Sequence, residues 1–221
     1  MRRLFALVVA LLLIPTSAHA VDYGSGAAGG PVGTPVLSTV PYTAVSDVMI
    51  VGDSITIRGY KDLAAALPGK RLAVNAHSGR NTKASIDSLF ASMQAGMVLP
   101  PVLIMAVGSN DVFDATPMAS QVKRLLAAVP SSTKVFWIDT QVARPATALA
   151  DQRNSAWVNQ AIWRGCAGEC AIISWFSFLA SKPARLSWYI DKGGVHPVSG
   201  VGTKAWAALI AGQVTPWLSS K

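Results

Sequence analysis

Five short, mostly apolar runs mark this chain, at residues 48–51, 71–75, 102–107, 134–139 and 171–174. Between them lie segments of helical periodicity at 60–67, 83–95, 118–129 and 146–163. A last helix is read at 200–218, interrupted near Pro216, where proline removes an N–H from the ladder. Strands without a polar face leave no side for water, so they belong in a sheet covered on both faces. Their alternation with helices predicts an α/β fold around a parallel five-stranded sheet. Trp137, Trp157, Trp163 and Trp206 fall inside these patterns and are read as core.

The 221 residues suffice for one such domain, placed at 46–221. Residues 1–20 read as a cleavable signal peptide. Arg2-Arg3 precede an apolar run too short for a comfortable membrane span, and Ala18-His19-Ala20 supplies a small-residue cleavage site. No transmembrane segment is expected in the mature chain. Residues 21–45 are rich in Gly, Pro, Ser and Thr and form either a flexible tether or an N-terminal arm lying on the domain. With 51% hydrophobic and 14% charged residues, the bulk cannot be disordered.

The formal charge is +8; without the first twenty residues, 17 basic stand against 11 acidic residues, a net +6. That favours loose association with an anionic surface such as a cell envelope. Lys61, Lys70, Arg71, Arg80, Lys83, Lys123 and Arg124 are scattered and read as solvated faces and helix ends, so nucleic acid is not an expected partner. Cys166 and Cys170 are the only cysteines, and in an exported chain their spacing suggests a disulfide bracing a tight loop. No His/Asp/Glu cluster shows metal-ligand spacing, and neither a metal nor a cofactor is expected.

The first apolar run leads straight into Gly52-Asp53-Ser54. A serine at the carboxyl end of a parallel strand stands where α/β sheets place their ligands, and it is a nucleophile if a base can reach it. The plainer alternative is a turn with Ser54 as helix cap. Three more loops gather at that edge: His77-Ser78-Gly79-Arg80-Asn81-Thr82, Gly108-Ser109-Asn110-Asp111, and Asp191-Lys192-Gly193-Gly194-Val195-His196-Pro197. Each alone could be a turn. His19 leaves with the signal peptide, so His77 and His196 are the only imidazoles available as base. His77 is read as a loop or core residue. Asp53 is expected to stabilise the nucleophile turn through backbone bonds, and Asp111 to cap a helix. Trp188 and Tyr189, in an irregular stretch before His196, are candidates to line a substrate pocket.

In these residues the chain resembles the SGNH hydrolases, or GDSL esterases. Gly52-Asp53-Ser54-Ile55 matches the first block of that family, Gly108-Ser109-Asn110-Asp111 the third, and Val195-His196-Pro197 the end of the fourth. Gly79 is the candidate for the second. The resemblance implies a three-layer flavodoxin-like fold and a serine esterase acting through an acyl-enzyme. Ser54 would be the nucleophile and His196 the base, with the N–H groups of Ser54 and Gly79 and the Asn110 amide as the oxyanion hole. The family's supporting acid stands three residues before the histidine, where this chain has Gly193. Either Asp191, five before, still reaches the imidazole, or a backbone carbonyl orients the ring and the site is a dyad; Asp191 is the favoured reading. An exported enzyme of this kind suits short-chain esters, such as acetyl, on envelope or extracellular glycans, glycolipids or small esters. The alternatives are an acyltransferase using the same residues and a non-catalytic accessory protein.

Overall fold

A computed structural model describes residues 34–37, 46–112 and 117–220. The proposed signal peptide and most of the 21–45 segment lie outside them. Six strands form one sheet: β1 (Val36–Leu37), β2 (Val48–Gly52), β3 (Leu72–Ala76), β4 (Val102–Ala106), β5 (Lys134–Ile138) and β6 (Ala171–Ile173). Their order is β1-β3-β2-β4-β5-β6. The five expected strands are parallel, within a residue or two of their predicted bounds. The expected five-stranded parallel sheet is corrected by β1, which pairs antiparallel with β3 at the edge. Its two residues sit in a Gly/Pro-rich stretch with no periodicity to reveal them, so this part of the segment is an arm on the sheet.

Side-chain alternation along the central strands builds two cores. Val48, Ile50, Ile104 and Phe136 face α1 (Ser54–Ala66), α5 (Trp175–Ala180) and α7 (Val201–Ser219). Met49, Val51, Met105 and Trp137 face α2 (Thr82–Gln94), α3 (Met118–Ala128) and α4 (Ala148–Cys166). The short α6 (Leu186–Tyr189) leads into the histidine loop.

Three helix expectations are corrected. The first helix begins at Ser54 and not at residue 60, because the Asp53 side chain accepts the Ile55 N–H and caps it despite the β-branched run that follows. The last runs through Pro216 without interruption, its final turn carrying on past the lost N–H. Trp157 and Trp163 are 46% and 50% exposed, because α4 turns Ser155, Val158, Asn159 and Ile162 inward instead. Trp137 and Trp206 are buried as expected. Cys166 and Cys170 form a disulfide across the loop after α4, with Cα atoms 5.0 Å apart. Among the described residues, no helix is long and apolar enough to cross a membrane.

Candidate active site

The parallel sheet delivers the carboxyl ends of β2, β3 and β4 to one edge, and the loop after α6 closes over it. Ser54 is the first residue of α1. His196 reaches it from the opposite side, with Nε2 2.8 Å from Ser54 Oγ. A covalent distance of 142 residues is closed by that one hydrogen bond. The loop bearing His196 is held by an isolated bridge between Ile190 and Pro197, by Val198 N–H donating to the Tyr189 carbonyl, and by Ala143 N–H donating to the Gly194 carbonyl. Burial, followed by the positive charge of Arg58, holds the His196 imidazole below its ordinary value of 6.5, and Asp191 acts in the opposite sense. At neutral pH the ring is therefore free to accept a proton.

Asp191 lies on the Nδ1 side of the ring but at 4.0 Å, too far for a hydrogen bond. Its Oδ2 accepts instead from Arg58 Nη1 at 2.7 Å, and its Oδ1 from the Gly193 N–H. The expected direct Asp191–imidazole contact is thus absent from this arrangement. Arg58, which the sequence reading passed over, stands one helical turn after Ser54, and that spacing places both on one face of α1.

Gly79 turns the chain after β3 with φ 73°, a conformation that favours glycine. Asn110 stands between this turn and the nucleophile turn. Its amide donates to the Arg80 carbonyl at 3.2 Å and to Asp53 Oδ2 at 3.3 Å. Asp53 is buried and also accepts from Ser109 Oγ at 2.5 Å. Burial pushes its carboxyl up to about 6, against the lowering effect of the Ser109 and Ile55 bonds and the charge of Arg80. The expected backbone role of Asp53 is present, and its second oxygen additionally fixes the third block onto the first. Asp111 serves the start of a helix, though not as its cap: it accepts from both the N–H and hydroxyl of Thr82 at the start of α2, which Asn81 caps.

One reading needs correction. Arg80 is no solvated cation; it is 3% exposed, donating to Asn75 Oδ1 at 2.8 Å, the Asn75 carbonyl at 2.7 Å and the Gly52 carbonyl at 3.0 Å. It ties the ends of β2 and β3 together beneath the site. The available signal was Asn75, a polar residue in a strand that otherwise reads as buried. Trp188 and Tyr189, the candidate pocket residues, both lie on α6. Trp188 is 56% exposed with the Arg185 guanidinium over its ring, while the partly buried Tyr189 meets Phe178 edge-on at the margin of the core. His77 is half-buried on the turn after β3, as read. Among the described residues, no group of three or more His, Cys, Asp or Glu could hold a metal.

No family model matches the chain, and no curated protein matches it in sequence. Solved structures do match it. The C-terminal catalytic domain of Streptococcus pneumoniae peptidoglycan O-acetyltransferase A, solved with a methylsulfonyl adduct, has a TM-score of 0.58 at 19% identity, over 80% of this chain and 94% of that one. A GDSL-like lipase from Bacteroides thetaiotaomicron has a TM-score of 0.61 at 17% identity, over 77% and 88%. An acetyl xylan esterase has 0.62 at 19% identity, over 76% and 98%. The chain has the SGNH hydrolase fold. The fold implied by the resemblance is borne out, and Ser54, Asn110 and His196 stand at the sheet edge of that fold.

Proposed function

We propose that this protein is an exported, cofactor-free serine esterase of the SGNH type. The observation that carries the reading is the 2.8 Å contact between Ser54 Oγ and His196 Nε2, on a ring that burial keeps neutral. Ser54 attacks the ester carbonyl while its proton passes to Nε2. The tetrahedral oxyanion accepts from the N–H groups of Ser54 and Gly79 and from the Asn110 amide, which gives up one of its long contacts to do so. Collapse expels the alcohol, which takes the proton from His196. Water, deprotonated by the same ring, then releases the acid and restores Ser54.

A short acyl group such as acetyl, on an envelope or extracellular glycan, glycolipid or small ester, is the proposed substrate class. The N-terminal signal pattern, the +6 charge and the similarity to an acetyl xylan esterase support it. The similarity to an O-acetyltransferase domain supports a second reading, in which a sugar hydroxyl replaces water in the last step. Hydrolysis of p-nitrophenyl acetate and its longer homologues, beside Ser54→Ala, tests the first. Activity that declines with chain length and is lost in the variant supports it. Transfer to an added sugar in preference to hydrolysis selects the second, and a folded protein inactive on every ester rejects the general esterase.

A further inference from the structure

Arg58 bridges the nucleophile helix to the histidine loop. Its Nη1 donates to Asp191 Oδ2 at 2.7 Å and to the Pro197 carbonyl at 3.3 Å. The same Asp191 oxygen is the anion nearest His196 Nδ1, at 4.0 Å. One carboxylate oxygen therefore faces a permanent cation and an imidazole that becomes one on protonation, and in this arrangement the guanidinium has it. Removing Arg58 leaves Asp191 Oδ1 on the Gly193 N–H at 3.0 Å and frees Oδ2, which then has the His196 imidazole 4.0 Å away.

We propose that Arg58 is the positioning residue of this acid–base pair, withholding Asp191 from His196 so that the Asp191–imidazole hydrogen bond forms only when Arg58 is drawn away. The inference rests on the serine-esterase reading and assigns the departure from the family's acid position a physical consequence. With Arg58 in place, the ring is a weak base that needs no charged partner on Nδ1. An anionic group on the substrate beside the scissile ester is the chemistry that would draw Arg58 away and hand Asp191 to the ring. Other charges around the ring are accounted for. Lys192 of the same loop and Lys204 of α7 are exposed, and Arg144, behind Gly194, is paired with Asp151.

The test is a histidine NMR titration of the full chain, with the His196 signal assigned by its loss in His196→Gln. It is run on the wild type, Arg58→Gln, Arg58→Lys and Arg58→Gln/Asp191→Asn. Arg58→Gln shifts the His196 midpoint upward, since a cation leaves and an anion arrives. Arg58→Lys stays with the wild type, and adding Asp191→Asn reverses the upward shift. Activity gives the second arm: Asp191→Asn costs less than about tenfold in kcat/KM with Arg58 present, and at least about 100-fold in the Arg58→Gln background, where the bond has formed. An unmoved midpoint in Arg58→Gln, an equal shift in Arg58→Lys, or equal Asp191→Asn losses in both backgrounds overturns the proposal. The titration needs no turnover, so an enzyme inactive on every ester would reject the esterase reading and still leave Arg58 decided.

Discussion

The histidine loop depends on Gly194, and substituting it shows how. Gly194 has φ 73°, and a Cβ built there would lie 2.1 Å from the Ala143 carbonyl oxygen and 2.9 Å from the Arg144 nitrogen. Both obstacles are backbone, fixed in turn by the Ala143 N–H bond to the Gly194 carbonyl at 2.8 Å. Relieving the clash takes a displacement of about 1 Å, and His196 is only two residues away. A shift of that size opens the 2.8 Å contact to Ser54 beyond hydrogen-bonding reach, and misplacement by about 1 Å costs about 100-fold in rate. The left-handed backbone adds about 1 kcal/mol of strain in any alanine variant. Gly96→Ala separates the two effects: its φ is 94° and no heavy atom would lie within 4 Å of its Cβ. The assay is kcat/KM on p-nitrophenyl acetate with thermal melts of both variants. Gly194→Ala should lose about 100-fold while still folded, and Gly96→Ala should keep wild-type turnover with a small loss of Tm. Activity of Gly194→Ala within about threefold of Gly96→Ala would refute the reasoning, because it would mean the loop yields without moving the base.

Four further outcomes follow from the same geometry. Asn110→Ala should lower kcat by about 100-fold or more with KM little changed, as expected for a donor used in the transition state; a change confined to KM would contradict it. The acid limb of kcat/KM should lie below pH 6.5, because burial and Arg58 lower the His196 value and only the neutral ring accepts the serine proton; a limb above 6.5 in a pH–rate profile would count against the assignment. Asp139, buried with its Oδ2 unpartnered, is pushed by burial from 3.8 up to about 6, so the stability it contributes below pH 3.8 is lost as pH rises through 6. Asp139→Asn escapes that loss: urea unfolding should show it about equal to the wild type near pH 3.5 and more stable by about 3 kcal/mol at pH 7.5. Arg80→Met should destabilise by about 3 kcal/mol in the same assay, since it strips donors from Asn75 and from the Gly52 carbonyl; a neutral result would show that those acceptors find other partners.

What could be read from the chain divides by the range of the interaction that fixes it. The five parallel strands were legible because burial on both faces forces an unbroken apolar run, and that pattern is local. Ser54, Asn110 and His196 were legible only together: each loop alone could be a turn, but the loops gather at one sheet edge in an order that matches the blocks of one family. Strand β1 was not, since two residues on a sheet edge are held by the register of β3 and not by any periodicity of their own. Trp157 and Trp163 misled because helical spacing fixes which residues share a face but not which face meets the core. Arg80 and Arg58 escaped for a common reason. A cation looks the same in sequence whether water or a carboxylate 133 residues away satisfies it, as Asp191 does for Arg58. The two arginines nonetheless act at different depths. Arg80, sealed beneath the turns, fixes where Ser54 and Gly79 stand; Arg58, at the surface, governs which partner Asp191 keeps. An error at the first should therefore appear as lost stability, and an error at the second as a changed pH profile in a protein that folds normally.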